Sequence, residues 1–213
     1  METTARRIGP RRRLRHRQSR SDEGLHRIVD DRRMNLREHA VLMAAYNRWI
    51  NAQVYAAAAR LPATAIAEDR GAFFGSILGT LNHLLIADTI WLHRFATHPA
   101  GFAALEPIRT TAPPRDLRAT AHADLPSLRT AREQLDGVID AWVDELSEAD
   151  LDHVLAYANT KGVASRRRFG SLVMHFFNHQ THHRGQVSTL LTQAGVDVGV
   201  TDLLMLIPTL DID

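Results

Sequence analysis

The sequence predicts an all-α protein folded as a four-helix bundle. Three observations predict it. Four long segments repeat apolar residues at three- and four-residue steps, the period of an amphipathic helix. The strand-like pattern is confined to one short stretch. Pro62, Pro99 and Gly195 fall at segment ends, where helices stop. A chain of 213 residues with 45% hydrophobic content is long enough for one domain with a sizeable core.

The first helix is predicted over Asn35 to Leu61, where Met43, Tyr46, Ile50, Val54, Ala57 and Leu61 keep step until Pro62. The second runs from Gly71 to Thr97, with Ile77, Leu81, Leu84, Trp91 and Phe95 along one stripe. Residues 98–114 carry Pro99, Pro107, Pro113 and Pro114 and read as a loop. Its length leaves room for a non-sequential helix order. The third helix spans Asp116 to Leu146, with Pro126 expected to kink or divide it. Val154-Leu155-Ala156-Tyr157 followed by Asn159-Thr160-Lys161-Gly162 suits a small β-hairpin. The fourth helix extends from Arg167 to Ala194, closed by Gly195. Beyond it, Leu203, Leu204, Leu206 and Ile207 are expected to fold back onto the bundle.

Composition removes several classes of function. With no cysteine, disulfides, thiolate-ligated zinc and a protein-borne catalytic thiol are all excluded. No apolar run reaches the roughly 20 residues that span a bilayer, and the basic N-terminus lacks the apolar stretch of a secretory signal. A soluble, cytoplasmic protein without membrane partners is the expectation. Charge is uneven. Residues 1–33 hold eleven of the 26 basic residues and five of the 24 acids, leaving 15 basic against 19 acidic residues over 34–213. The domain 34–213 is thus mildly acidic, and 1–33 reads as a basic, disordered extension that buries too little apolar surface to fold. A start of translation at Met34 would also explain it. Nucleic acid is not an expected partner, except through that extension.

The chemistry concentrates in Asn178-His179-Gln180-Thr181-His182-His183-Arg184-Gly185-Gln186, with His175 one turn upstream. The row Leu172, Phe176, His179, His183, Val187, Leu190 and Ala194 puts two imidazoles four residues apart where apolar side chains belong. Burying both is costly unless each ring nitrogen finds a partner. A divalent cation supplies one partner for both, whereas hydrogen-bonded core histidines are the plain alternative. His182 falls on a polar row facing solvent, and His175 lies between the rows. Two ligands need a third, and His83 on the second helix is the candidate, flanked by the small or apolar Gly79, Thr80, Ile86, Ala87 and Ile90. His93 and His39 read as surface histidines. Asp88 reads as a partly exposed acid, with ligand or ligand-orienting roles as alternatives. Asn82, Asn178, Arg184 and Gln186 adjoin the histidines and either orient substrate or support the site. Gly185 inside a helix costs about 1 kcal/mol relative to alanine, suggesting a close helix contact or room for a ligand. Three imidazoles leave zinc an open position, as in catalytic sites. Nickel, iron(II) and manganese also accept imidazole.

Asn178-His179-x-x-x-His183-Arg184-Gly185-Gln186, taken with Leu81-Asn82-His83-Leu84-Leu85-x-Ala87-Asp88-x-x-Trp91, resembles the DinB family. Tyr46-Asn47-Arg48-Trp49-Ile50-Asn51 and Asn159-Thr160-Lys161-Gly162 are similar to that family too, so the likeness covers about residues 34–194. The resemblance implies a DinB/YfiT-like four-helix bundle, usually a homodimer, whose divalent metal is held by His83, His179 and His183. It further implies metal-dependent use of a low-molecular-weight thiol, either S-transfer to a small electrophile or thiol-dependent isomerisation. Hydrolysis at the same metal, or a non-catalytic stress-associated bundle that only binds metal or ligand, are the alternatives. Neither a general base nor any other catalytic residue follows from the sequence.

Overall fold

Asn35 starts the first helix by a reciprocal cap. Its side chain accepts from the Glu38 amide at 2.8 Å, and the Glu38 carboxylate accepts from the Asn35 amide at 3.0 Å. In the computed structural model, which describes residues 34–209, this helix α1 runs Leu36–Ala58. The basic extension 1–33 lies outside the described residues. Past Pro62 comes a short α2, Ala63–Ala67.

Helix α3, Ile77–Phe95, starts six residues later than the expected Gly71. Gly71 and Gly75 adopt left-handed backbone (φ +68° and +74°), which turns the chain before the Ser76 side chain caps the Gly79 amide at 3.0 Å. The connection over 96–124 holds a 3-10 turn, Ala103–Leu105, and α4, Glu106–Arg109, where only loop was expected. Helix α5 spans Leu125–Glu145 rather than starting at Asp116. Asp124 caps the Ser127 amide at 2.8 Å, and Pro126 sits in the first turn, where its missing N–H leaves no helical bond unmade. Pro126 therefore begins the helix and does not kink it, and residues 116–124 are irregular.

After α6, Glu148–Asp152, the expected hairpin forms: β1, Val154–Ala158, pairs antiparallel with β2, Ala164–Arg168, in the register Val154 to Arg168. Asn159 shapes the turn by accepting from the Lys161 and Val163 amides at 2.9 and 3.0 Å. Helix α7 is Phe169–Gln193, ended by Gly195 at φ +78°. In the tail, Leu203 and Leu206 pack on the core, but Leu204 and Ile207 are exposed, against the expectation that all four fold inward.

The four long helices are not arranged in sequence order. Helix α1 packs against α5 and α7, and α3 packs against the same two, so α1 and α3 stand diagonally. His83 meets His183, Asp88 meets Gln180 and Phe95 meets Phe169, which makes α3 and α7 antiparallel. Asp88 meets Arg132 and Phe95 meets Trp142, so α3 and α5 are parallel and the 96–124 connection is a long crossover between them. The crossover end of the bundle is sealed by Phe95, Phe102, Trp142, Phe169 and Phe176, whose rings pack edge-on or stacked with centroids 5.1–6.5 Å apart. Each such buried ring contributes about 1.5–3 kcal/mol. No described helix is long and apolar enough to cross a membrane.

Candidate metal centre

Helix α7 buries Val173, Phe176, Gln180, Arg184, Val187 and Leu191 along its central stripe. The histidine row is therefore the flank of the buried face, not its centre as the sequence suggested. His183 is buried and His179 half-buried beside it, and His182 and His175 are exposed. Across the seam α3 offers His83, only 4% exposed. The Nε2 atoms of His83 and His183 are 3.2 Å apart, and those of His183 and His179 are 3.1 Å apart. The ligand-capable nitrogens of all three lie within 4.8 Å of one another, so the three residues could hold a metal ion.

The outer nitrogens decide what this convergence means. His83 Nδ1 donates to the Leu117 carbonyl at 3.0 Å, and His183 Nδ1 donates to Gln186 Oε1 at 2.7 Å. A neutral imidazole has one N–H, so both facing Nε2 atoms carry lone pairs and neither can donate to the other. Burial pushes the histidines toward this neutral form, His83 down to about 4 and His179 to about 3, where His183 and His83 beside it add to the effect. The His83 and His183 lone pairs, aimed at one another at 3.2 Å, repel unless a cation lies between them, whereas His179 Nε2, 3.1 Å from His183 Nε2, can act as a donor or as a third ligand. Nitrogens about 2.0–2.1 Å from a tetrahedral zinc stand about 3.3 Å apart, close to what is seen. The donor set fits a divalent ion, and the hydrogen bonds on the outer nitrogens fix the rings as ligand-orienting partners do.

Elements outside the helices complete the site. The 116–124 stretch, expected to be helical, is irregular and brings the Leu117 carbonyl to His83. Asn82 holds that stretch down, donating to the His122 carbonyl at 3.0 Å and accepting from the His122 amide at 2.9 Å. Asn82 is thus a clamp and not a substrate contact. Phe74 stacks on His83 with ring centres 3.7 Å apart. Gly79 makes this possible, since a Cβ there would meet the Phe74 carbonyl oxygen at 2.1 Å. The small residue serves its own preceding turn rather than a neighbouring helix.

The remaining candidates divide. Gln186 supports His183, and Arg184 is buried and donates to the Asn47 side chain. Asn178 is exposed, and Gly185 is exposed with open space where a Cβ would stand, so no close helix contact explains it. His93 and His39 are partly buried rather than fully at the surface. Asp88 is no partly exposed acid. It is fully buried, accepting from Arg132 at 2.6 Å and Gln180 at 3.0 Å, and it points away from the triad. Arg132 also reaches Asp136 at 2.9 Å, and Asn47 and Asn51 donate to Asp136 at 2.8 and 3.0 Å. Sequence reading missed this cluster, although Gln180 and Arg184 on a stripe with Phe176 and Val187 were its signal.

A model of the DinB family matches residues 34–209. The chain belongs to the DinB family. Within that family, Protein DinB of Bacillus subtilis (strain 168) is 24% identical over 174 residues, which cover 78% of this chain and 91% of that protein. No solved structure matches the chain. The DinB motif residues thus stand explained: His83, His179 and His183 converge, Asn82 and Gln186 hold their surroundings, and Asn47 and Asn51 belong to the buried polar cluster.

Proposed function

We propose that this chain is a divalent-metal enzyme, zinc first among the candidate ions, that uses a low-molecular-weight thiol on a small electrophile by S-transfer or thiol-dependent isomerisation. His83, His179 and His183 hold the ion. The observation that carries the reading is the pair of facing Nε2 lone pairs, each left without a proton because its own Nδ1–H is bonded elsewhere. When bound, the ion would supply Lewis acidity that lowers the pKa of a thiol or water in the remaining position.

Among the described residues the cluster contains three histidines and no carboxylate, which leaves a coordination position for an outside ligand. The half-exposed His179 marks the side from which a small molecule can enter. Sulfur must come from outside, because the chain has no cysteine. The thiol reading is favoured over hydrolysis by the orientation of Asp88. A metal-bound water can ionise by itself, but metal-dependent hydrolysis of the HExxH kind adds a carboxylate as general base, and the nearby buried acid is directed at Arg132 and Gln180. A thiol ionises far more readily. On this reading the protein works as a cytoplasmic homodimer.

Elemental analysis of the purified protein beside His179→Ala and His183→Ala tests the ion. About one equivalent in the parent and almost none in the variants is expected, and equal loading in all three removes the assignment. Thiol consumption against a panel of electrophiles tests the chemistry. A metal-loaded protein inactive with every thiol would leave a bundle that only binds metal.

A further inference from the structure

Arg94 follows His83 on α3 by eleven residues, which returns it to within about 20° of the same face, about 16 Å further along the axis. Its guanidinium carbon lies 4.5 Å from the centre of the Trp91 ring and 5.2 Å from that of Tyr157 on β1. The two rings touch each other, with centroids 5.5 Å apart and planes tilted by 57°, so both lie on one side of the cation and accept none of its in-plane N–H bonds. Arg109, Arg132 and Arg184 each donate to an oxygen. Among the described residues no carboxylate pairs with Arg94, and its electrostatic surroundings hold burial and Tyr157 but no acid.

Arg94 lines an open cavity of about 510 Å³ between α3, the crossover connection and the hairpin. Ile90, Pro113, Pro114 and Ala156 make its walls largely apolar, and Arg115 stands exposed across from Arg94. A held guanidinium with unused parallel donors matches a carboxylate, which it can bind through two bonds at once.

We infer that this cavity anchors the carboxylate of a small molecule on Arg94, with Arg115 on the crossover side of the same cavity as a second cation. The anchoring does not depend on the metal reading above. The carboxylate belongs to the electrophile or to the thiol, and the same pocket chemistry serves both.

Full-length, metal-loaded protein is titrated with benzoate and with benzamide, its neutral isostere, by calorimetry and tryptophan fluorescence. Benzoate should bind at least about tenfold more tightly, worth about 1.4 kcal/mol. Arg94→Gln should abolish the preference while keeping its metal content, and Arg94→Lys should keep part of it. Metal-free His179→Ala should retain the preference, which separates anchoring at Arg94 from carboxylate binding at the ion. Equal affinities for the two probes, a preference that survives Arg94→Gln, or one that disappears with the metal would overturn the inference. If the parent binds no metal but still prefers benzoate, the subsite stands and the proposed function falls. Competition with glutathione and its diethyl ester identifies the source. Displacement by glutathione alone assigns the carboxylate to the thiol, and displacement by neither assigns it to the electrophile; both results retain the subsite.

Discussion

Two polar clusters lie inside the same bundle, anchored only five residues apart on α3 at His83 and Asp88. In the Asp88 cluster two acids, Asp88 and Asp136, meet two bases, Arg132 and Arg184, with Asn47, Asn51 and Gln180 filling the gaps. Its charges cancel from within. In the histidine cluster the protein supplies partners for the outer nitrogens of His83 and His183, and the three inner nitrogens converge on one another. The difference teaches how to tell a structural polar core from a binding site. Burial and unusual pKa values occur in both, but only the second sets two acceptors, the Nε2 atoms of His83 and His183, against each other at 3.2 Å.

The comparison breaks most directly at Arg132. Removing one member of a buried ion cluster leaves an uncompensated charge and costs about 3–5 kcal/mol. Arg132→Met should show that loss in urea unfolding whether or not metal is present, and a loss confined to the metal-loaded form would place the two clusters in one unit. The triad should behave in the opposite sense. At a metal concentration about a hundredfold above Kd, chelation should remove about 2.7 kcal/mol of stability from the parent protein and almost nothing from His183→Ala. In chelator, His183→Ala should be as stable as the parent or slightly more so, because it relieves the facing lone pairs.

Smaller effects sharpen the contrast. Gln186→Ala frees the outer nitrogen of His183 and should weaken metal binding about 10–100-fold in a competition titration, with little change in the metal-free melting curve. Acid should distinguish the triad last. An unfolded histidine titrates near 6.5, whereas burial lowers His83 to about 4 and His179 to about 3. The unfolded chain therefore binds more protons in this window, and the stability of metal-free protein should decline as pH drops from about 6.5 toward 4. A His83→Asn, His179→Asn double variant should give a flatter profile, and an unchanged slope would move the effect elsewhere.

Helix periodicity placed all four long helices and the hairpin, because those elements follow from local pattern and from prolines at their ends. It failed where capping and turn geometry overrode an apolar stripe. Residues 71–76 and 116–124 continue the helical pattern, yet paired left-handed glycines and the Asp124 cap exclude them from α3 and α5. The histidines were visible as imidazoles at core spacing. Their outer partners were not, since a backbone carbonyl such as that of Leu117 has no sequence signature. The Asp88 cluster escaped because its members come from four helices, and no single helix reveals that Gln180 and Arg184 will find acids across the bundle. Arg94 was silent for the same reason: its second aromatic neighbour arrives from the hairpin.

The crossover carries a consequence for how this chain can change over time. Surface connections usually accept insertions and deletions freely. Here Asn82 grips the backbone at His122 and Leu117 steadies the ring of His83, so the four residues between Leu117 and His122 are tied to the helix at both ends. Length variation should be tolerated upstream, around 110–112, where the chain is exposed, and be nearly lethal to metal retention within 117–122. A stretch that looks like packaging is, in effect, a gauge block against which one ligand is set.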